Sequence, residues 1–273
     1  MKNEPIITST ANPRIKEIIA LEKARTRKES GLFVLEGVKE IGMAITAGYD
    51  LETLLWCPQI VGEQLTVKHA ARQTIQISEE IFSRLAIREN SGGLLAVAKS
   101  KSHNLNDVAL GKNPLVIVLE SVEKPGNLGA VLRTADAAGV DAVIICDPQT
   151  DLYNPNVIRS GLGSLFTMQV AVTDSASAIA FLKDHDIGIY CTHLEASVPY
   201  DTIDFTRASA IVMGTEATGL SGIWTKAATN NIIIPMYGDV DSMNVSVSAA
   251  IVTFEAIRQR RAAGINLNSG KKN

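Results

Sequence analysis

The chain has 273 residues, 46% hydrophobic and 20% charged, with 20 glycines, 9 prolines and a net charge of −3. That length exceeds the roughly 100–200 residues of one ordinary domain and predicts two, and the composition excludes a disordered or collagen-like chain. No apolar run approaches the ~20 residues of a membrane-spanning helix, and no apolar stretch behind Met1 to Pro5 offers a secretion signal, so a cytoplasmic protein is expected.

Residues 13–25 place Ile15, Ile18, Ile19 and Leu21 on or near one helical face behind Asn12, a good cap, and one helix is expected there. Strands are expected at 32–35 and 53–56, with a helix from Val38 to about Ala47 between them and Gly48 ending it. Two more strands, 74–77 and 94–98, flank a helix capped by Ser78. Residues 1–100 thus read as a small α/β domain. Residues 101–114 are polar, contain Gly and Pro, and read as a linker. Beyond it, short runs with few charges at 115–119, 143–146, 187–191, 210–213 and 232–234 alternate with helical patterns at 128–138, 175–183 and 243–260. Strands buried on both faces of a mostly parallel sheet look like this, so 115–264 reads as a doubly wound α/β domain, with 265–273 a polar basic tail. Ligands of such a domain sit beyond the C-terminal ends of its strands.

Charge is unevenly spread. Residues 1–30 hold seven Lys/Arg against four Asp/Glu, with Lys23, Arg25, Arg27 and Lys28 bunched together; after Glu255 come five basic residues and no acid. Such clusters contact phosphates even on an acidic protein, although a solvated face is the commoner meaning. Cys57, Cys146 and Cys191 are odd in number, far apart and set in apolar runs, which fits reduced core thiols. GxxxxGK[ST] and GxSxG motifs are absent, the first strand of the second domain is not followed by GxGxxG, and His69, His103, His185 and His193 lack metal spacing. A dinucleotide-dependent oxidoreductase is therefore unsupported. RSGLGSLF, from Arg159, is Gly-rich but fits a turn before a strand better than a phosphate loop.

Three patches each follow an expected strand. In EKPGNLGAVLRTADAAG, from Glu123, a turn at Pro125, Gly126 and Asn127 leads into a helix on which Arg133 shares a face with the small Gly129 and Ala130. In MGTEATGLS, from Met213, Gly214 permits close approach to the strand end and Glu216 stands beside it. In IPMYGDVDSMNVSVSAA, from Ile234, Ser242 and Asn244 are either caps of the helix that follows or groups aimed at a ligand.

Together, in this order, the three patches resemble the motifs of the SpoU-type (TrmH-like) RNA ribose 2'-O-methyltransferases of the SPOUT superfamily. DLYNPNVIRSGLGSLF resembles the family's segment between the first two motifs, and SxxNPxIKxIxxL with FVLEGVKE resembles the RNA-recognition domain often preceding it. The resemblance implies an α/β fold closed by a deep trefoil knot, a bent S-adenosylmethionine held in it mainly by backbone groups, a homodimer with the active site near its interface, and no metal. It makes Asn127, Arg133, Glu216, Ser242 and Asn244 the expected catalytic residues. Gly214, Ile234, Met236 and Met243, with Thr192 and Leu194 after the strand at 187–191, become the expected cofactor contacts. Arg14, Arg25, Arg27 and Lys28 are the expected RNA contacts, and structured RNA, ribosomal before transfer, is the expected substrate. Where the family usually has Asn-Glu-Gly this chain has Thr215-Glu216-Ala217, where it has Ser-Leu-Asn this chain has Ser242-Met243-Asn244, and NSGG stands before Leu94 in place of a Pro-Gln-Gly-like turn. The altered loop supports the alternative, a catalytically silent RNA-binding scaffold that keeps the fold.

Overall fold

Asn12 accepts a hydrogen bond from the Arg14 N–H, and Pro13 fits the first helical position, so α1 (Pro13–Ala20) begins as the sequence predicts. The computed structural model describes residues 6–62, 70–87, 92–195, 197–215 and 218–265. The helix does not run to residue 25. It breaks after Ala20 and a second helix, α2 (Ala24–Ser30), follows. Arg27 is the reason: its Nη1 donates to the Leu21 and Glu22 carbonyls at 2.7 and 2.9 Å, acceptors that a continuous helix would offer to the backbone four residues on. Its Nε meets Asp151 at 2.5 Å, and its side chain is only 3% exposed. Arg27 is thus a buried structural residue rather than the RNA contact expected of it, whereas Arg14, Arg25 and Lys28 are exposed.

The chain then builds β1 (Leu32–Glu36), α3 (Val38–Thr46), β2 (Leu51–Trp56), α4 (Pro58–Val61), β3 (Ala71–Gln76), α5 (Glu79–Leu85) and β4 (Leu94–Lys99). They form a mixed sheet of order β1-β4-β2-β3, with β4 antiparallel to β1 and β2, and β2 parallel to β3. The third strand starts three residues earlier than expected, and Ile77 makes only an isolated bridge to Ile7. Ile15, Ile18 and Leu21 pack with Leu55, Ile75, Ile81, Leu95 and Val97 on one side of this sheet.

Next come β5 (Leu115–Glu120), α6 (Pro125–Ala138) and β6 (Ala142–Cys146). Residues 151–167, carrying α7 (Pro155–Ser160), group by their contacts with residues 1–102 as one unit; 103–150 and 168–273 form the other. In the first unit Tyr153 lies against Phe33, ring centroids 4.4 Å apart, and its hydroxyl is 3.2 Å from that of Tyr49. Burial pushes the Tyr49 and Tyr153 hydroxyls up from the usual phenol range. From residue 103 the stretch read as a linker belongs to the second unit, where Leu105, Val108 and Leu110 pack against the core.

The second unit continues through β7 (Val170–Thr173), α8 (Ser175–Asp184), β8 (Gly188–Thr192), β9 (Val198–Pro199), β10 (Ser209–Met213), α9 (Gly222–Ala227), β11 (Asn230–Ile233) and α10 (Val245–Ala262). Its seven strands are all parallel, in the order β7-β6-β5-β10-β8-β11-β9. Val116, Val118, Ala210 and Val212 face α8 and α9, around the buried Trp224. The alternate residues Ile117, Leu119, Ile211 and Met213, equally buried, point the other way, and α6 and α10 pack on each other and on β6 and β10. Arg260 of α10 is buried and donates to the carbonyls of Asn113, Pro114, Phe205 and Arg207 at 2.7–3.0 Å. Cys57, Cys146 and Cys191 are free, buried thiols. No described helix is long and apolar enough to cross a membrane.

Candidate functional site

Three neighbouring strands of the second sheet, β10, β8 and β11, end side by side, and the segments leaving them bound a cleft of about 420 Å³. That is where an open parallel sheet offers its ligand site, and the volume falls within the roughly 300–1,000 Å³ of small-molecule pockets. Thr192 lines it at the end of β8 and Leu194 beyond it, Gly214 after β10, and Ile234 and Met236 after β11, with Met243 closing it ahead of α10. All six residues expected around the cofactor therefore border one space.

Its lining mixes apolar residues with polar ones. The Thr192 hydroxyl donates to the Val212 carbonyl at 3.0 Å, tying β8 to β10. After β10 the chain doubles back on itself. Thr215 and Gly219 exchange N–H···O bonds of 3.1 Å in both directions, and Thr215 Oγ1 accepts from the Thr218 N–H at 3.0 Å. Gly214 is pressed so closely on the Gly219 and Leu220 backbone that any Cβ there would overlap the Gly219 carbonyl. Glycine is required at this position by space, not by its backbone angle.

The expected catalytic residues divide. Asn244 is the N-cap of α10: its Oδ1 accepts from the Ser246 N–H (2.9 Å) and Oγ (2.6 Å), while its Nδ2 donates to Asn127 Oδ1 at 3.1 Å. Capping and joining the first motif to the third are thus done by one amide. Ser242 is exposed and lines the cleft. Arg133 is exposed on α6 and is not part of the cleft lining. Six residues separate it from Asn127, about 240° around the helix, so the two side chains leave α6 on different sides. Glu216 lies outside the described residues, as does Ala217.

His193, Asp241, Thr218 and Ser248 also line the cleft and were not singled out in the sequence. His193 had a usable signal: it is the first residue beyond β8, at the end of the sheet where ligands bind. Its Nδ1 lies 3.0 Å from the Glu195 carbonyl. Below the cleft, burial pushes the Cys191 thiol up to about 12, so it stays protonated and is no nucleophile.

Comparison with known proteins places this geometry. The SpoU rRNA Methylase family model matches residues 114–254, and the MRM3-like substrate binding domain model matches residues 12–96. The 23S rRNA (guanosine(2553)-2'-O)-methyltransferase RlmP of Bacillus subtilis is 30% identical over 257 residues, covering 91% of this chain and 97% of that one. The tRNA (guanosine(18)-2'-O)-methyltransferase of Escherichia coli is 39% identical over 154 residues, 56% of this chain and 67% of that one. The AdoMet-bound rRNA methyltransferase structure from Sinorhizobium meliloti superposes with a TM-score of 0.85 at 31% identity, over 93% of this chain and 97% of that one.

Proposed function

Because the chain belongs to the SpoU methylase family, we propose that it transfers the methyl group of S-adenosylmethionine to a ribose 2'-hydroxyl of ribosomal RNA. The observation that carries the reading is the single cleft beyond β8, β10 and β11, bordered by all six motif residues expected to hold the cofactor. Ribosomal RNA is favoured over transfer RNA by extent: similarity to the rRNA enzyme of B. subtilis runs through nearly the whole chain, that to the tRNA enzyme through about half of it.

The cleft suits the cofactor. Gly214 adds no side chain of its own to the wall, Ile234, Met236 and Met243 present apolar surface, and the Thr192 hydroxyl is engaged by the Val212 carbonyl. When bound, S-adenosylmethionine supplies a methyl group activated on a sulfonium. The protein's part is to orient the ribose hydroxyl, take up its proton and stabilise the oxygen as negative charge grows there. Arg133 carries a guanidinium, a fixed delocalised cation and no base. It therefore acts as a cation that positions phosphate and stabilises the oxyanion, with the proton passing to phosphate or water. The Asn127–Asn244 pair fixes the start of α6 against the start of α10, and Ser242 and Glu216 complete the set.

The same proposal includes a homodimer. Its support is an apolar stripe on α10, where Val247 and Phe254 are each about half exposed two turns apart. Arg133 is exposed on α6, which packs on that helix, so a second copy seated there comes within reach of it. A trefoil knot is supported by the insertion of β10 between β5 and β8 and by the return of α10 onto α6. A cytoplasmic location follows from the substrate. RNA is bound by the first unit through the exposed Arg14, Arg25 and Lys28.

The test is transfer of labelled methyl from S-adenosylmethionine to unmodified ribosomal and transfer RNA, with nuclease digestion to locate it. Label on a 2'-oxygen of ribosomal RNA is expected. A folded preparation that labels neither RNA would leave the scaffold reading in its place.

A further inference from the structure

β5 is apolar for five residues and closes on a charge, Glu120, itself 6% exposed. A carboxylate is costly to bury unless its oxygens are hydrogen-bonded, and these are. Oε2 accepts from the Ser221 N–H at 2.8 Å and Oε1 from the Ser221 Oγ at 2.5 Å. The Ser175 Oγ also approaches Oε1 at 3.2 Å, but lies nearer Asp147, at 2.6 Å, and accepts from the Trp224 indole N–H at 3.0 Å. The carboxylate's two short bonds thus converge on one residue, Ser221, 101 positions away in the chain.

Ser221 stands at the N-cap of α9, where a serine hydroxyl ordinarily accepts from the helix's own N–H groups, yet it makes no such bond. Its hydroxyl is turned to Glu120 instead. Directly before it lie Gly219 and Leu220, whose backbone is pressed on Gly214 in the wall of the cleft. Leu220 is buried in the core below. Fixing Ser221 by both its N–H and its hydroxyl therefore fixes how far Gly219 stands from Gly214.

We propose that Glu120 is a positioning residue for the cofactor: it touches no ligand, but by clamping Ser221 it sets the wall that Gly214 and Gly219 present to S-adenosylmethionine. The inference rests on the reading of the cleft given above and adds a residue outside the motif positions assigned there.

The experiment measures the dissociation constant of S-adenosylmethionine by titration calorimetry for the full-length wild type, Glu120→Ala, Glu120→Gln and Ser221→Ala. RNA affinity and amide hydrogen exchange at Gly219 to Ser221 are measured on the same proteins without cofactor. Losing hydrogen bonds to a charged group predicts a rise of about tenfold or more in that constant for Glu120→Ala. Faster exchange at those amides and unchanged RNA affinity are expected with it. Glu120→Gln, whose carbonyl still accepts from the Ser221 N–H and whose amide can donate to its hydroxyl, should return to within about threefold of wild type. Ser221→Ala, which keeps the backbone bond, should fall between. If Glu120→Ala does not fold, Ser221→Ala decides: an unchanged constant overturns the clamp. Equal losses of cofactor and RNA affinity in a folded variant also overturn it, since they mark a general structural role. A wild type that binds no S-adenosylmethionine would instead overturn the proposed function and this inference with it.

Discussion

The site turns on a few residues whose chemistry is unambiguous. Gly214 is the sharpest case, because the Gly219 carbonyl occupies the place of any Cβ. Gly214→Ala is expected to weaken S-adenosylmethionine binding by a hundredfold or more, read by calorimetry. Arg133 belongs to the other half of the reaction. Arg133→Ala should cut turnover by roughly 10²–10³, the usual worth of one contact to a developing oxyanion, and leave cofactor affinity within about twofold. Equal loss of both would make Arg133 structural. Glycines and asparagines after strands were legible in the sequence because each serves few purposes there. Arg27 was not: nothing in KARTRKES tells which cation turns inward, and what decides it, Asp151, lies 124 positions further on. Glu120 was illegible for a related reason, since a charge closing an apolar strand reads as the strand's end rather than as a clamp.

At the scale of the element, periodicity located most helices and strands and missed those that tertiary contacts define. The break between α1 and α2 is made by the Arg27 side chain capping the Leu21 and Glu22 carbonyls. Without it the stretch reads as one helix, as its apolar spacing predicts. Removing it leaves two carbonyls without that donor and takes the cation from Asp151, which keeps only the Tyr153 N–H among the bonds described. Arg27→Ala should therefore destabilise the protein by about 3–5 kcal/mol in a denaturant titration, the range for breaking a buried pair from one side. Arg25, 87% exposed and paired along its own helix with Glu29, behaves oppositely. Arg25→Ala should leave stability within about 0.5 kcal/mol and reduce the salt dependence of RNA binding by about one phosphate contact. The strands missed, β7 and β9, are four and two residues long, and β9 stands at the sheet edge. Runs so short carry no period. The helix at the third motif was found two residues early, because Met243 and Asn244 are apolar or cap-like while the cap itself is Asn244.

For the whole molecule, the alternating pattern announced a parallel sheet but not its strand order. Neighbours such as β5 and β10 pair across some ninety residues, and no local signal encodes that. The exposed stripe of Val247 and Phe254 also has meaning only at this scale. If the proposed dimer forms on this stripe, the wild type sediments as a dimer and Phe254→Asp as a monomer with far-ultraviolet dichroism unchanged; a variant that stays dimeric would place the interface elsewhere. Arg260 carries a consequence for biosynthesis. It gathers the carbonyls of Asn113 and Pro114, just before β5, with those of Phe205 and Arg207, just before β10, and stands 146 positions after Pro114. At roughly 5–20 residues per second, translation needs about 7–30 s to cover that distance. Through that interval the emerged strands of the second unit lack their clasp. A chain still being made thus lacks both the part of the cleft that Met243 and Ser248 supply and the clasp on its central strands until α10 is synthesised.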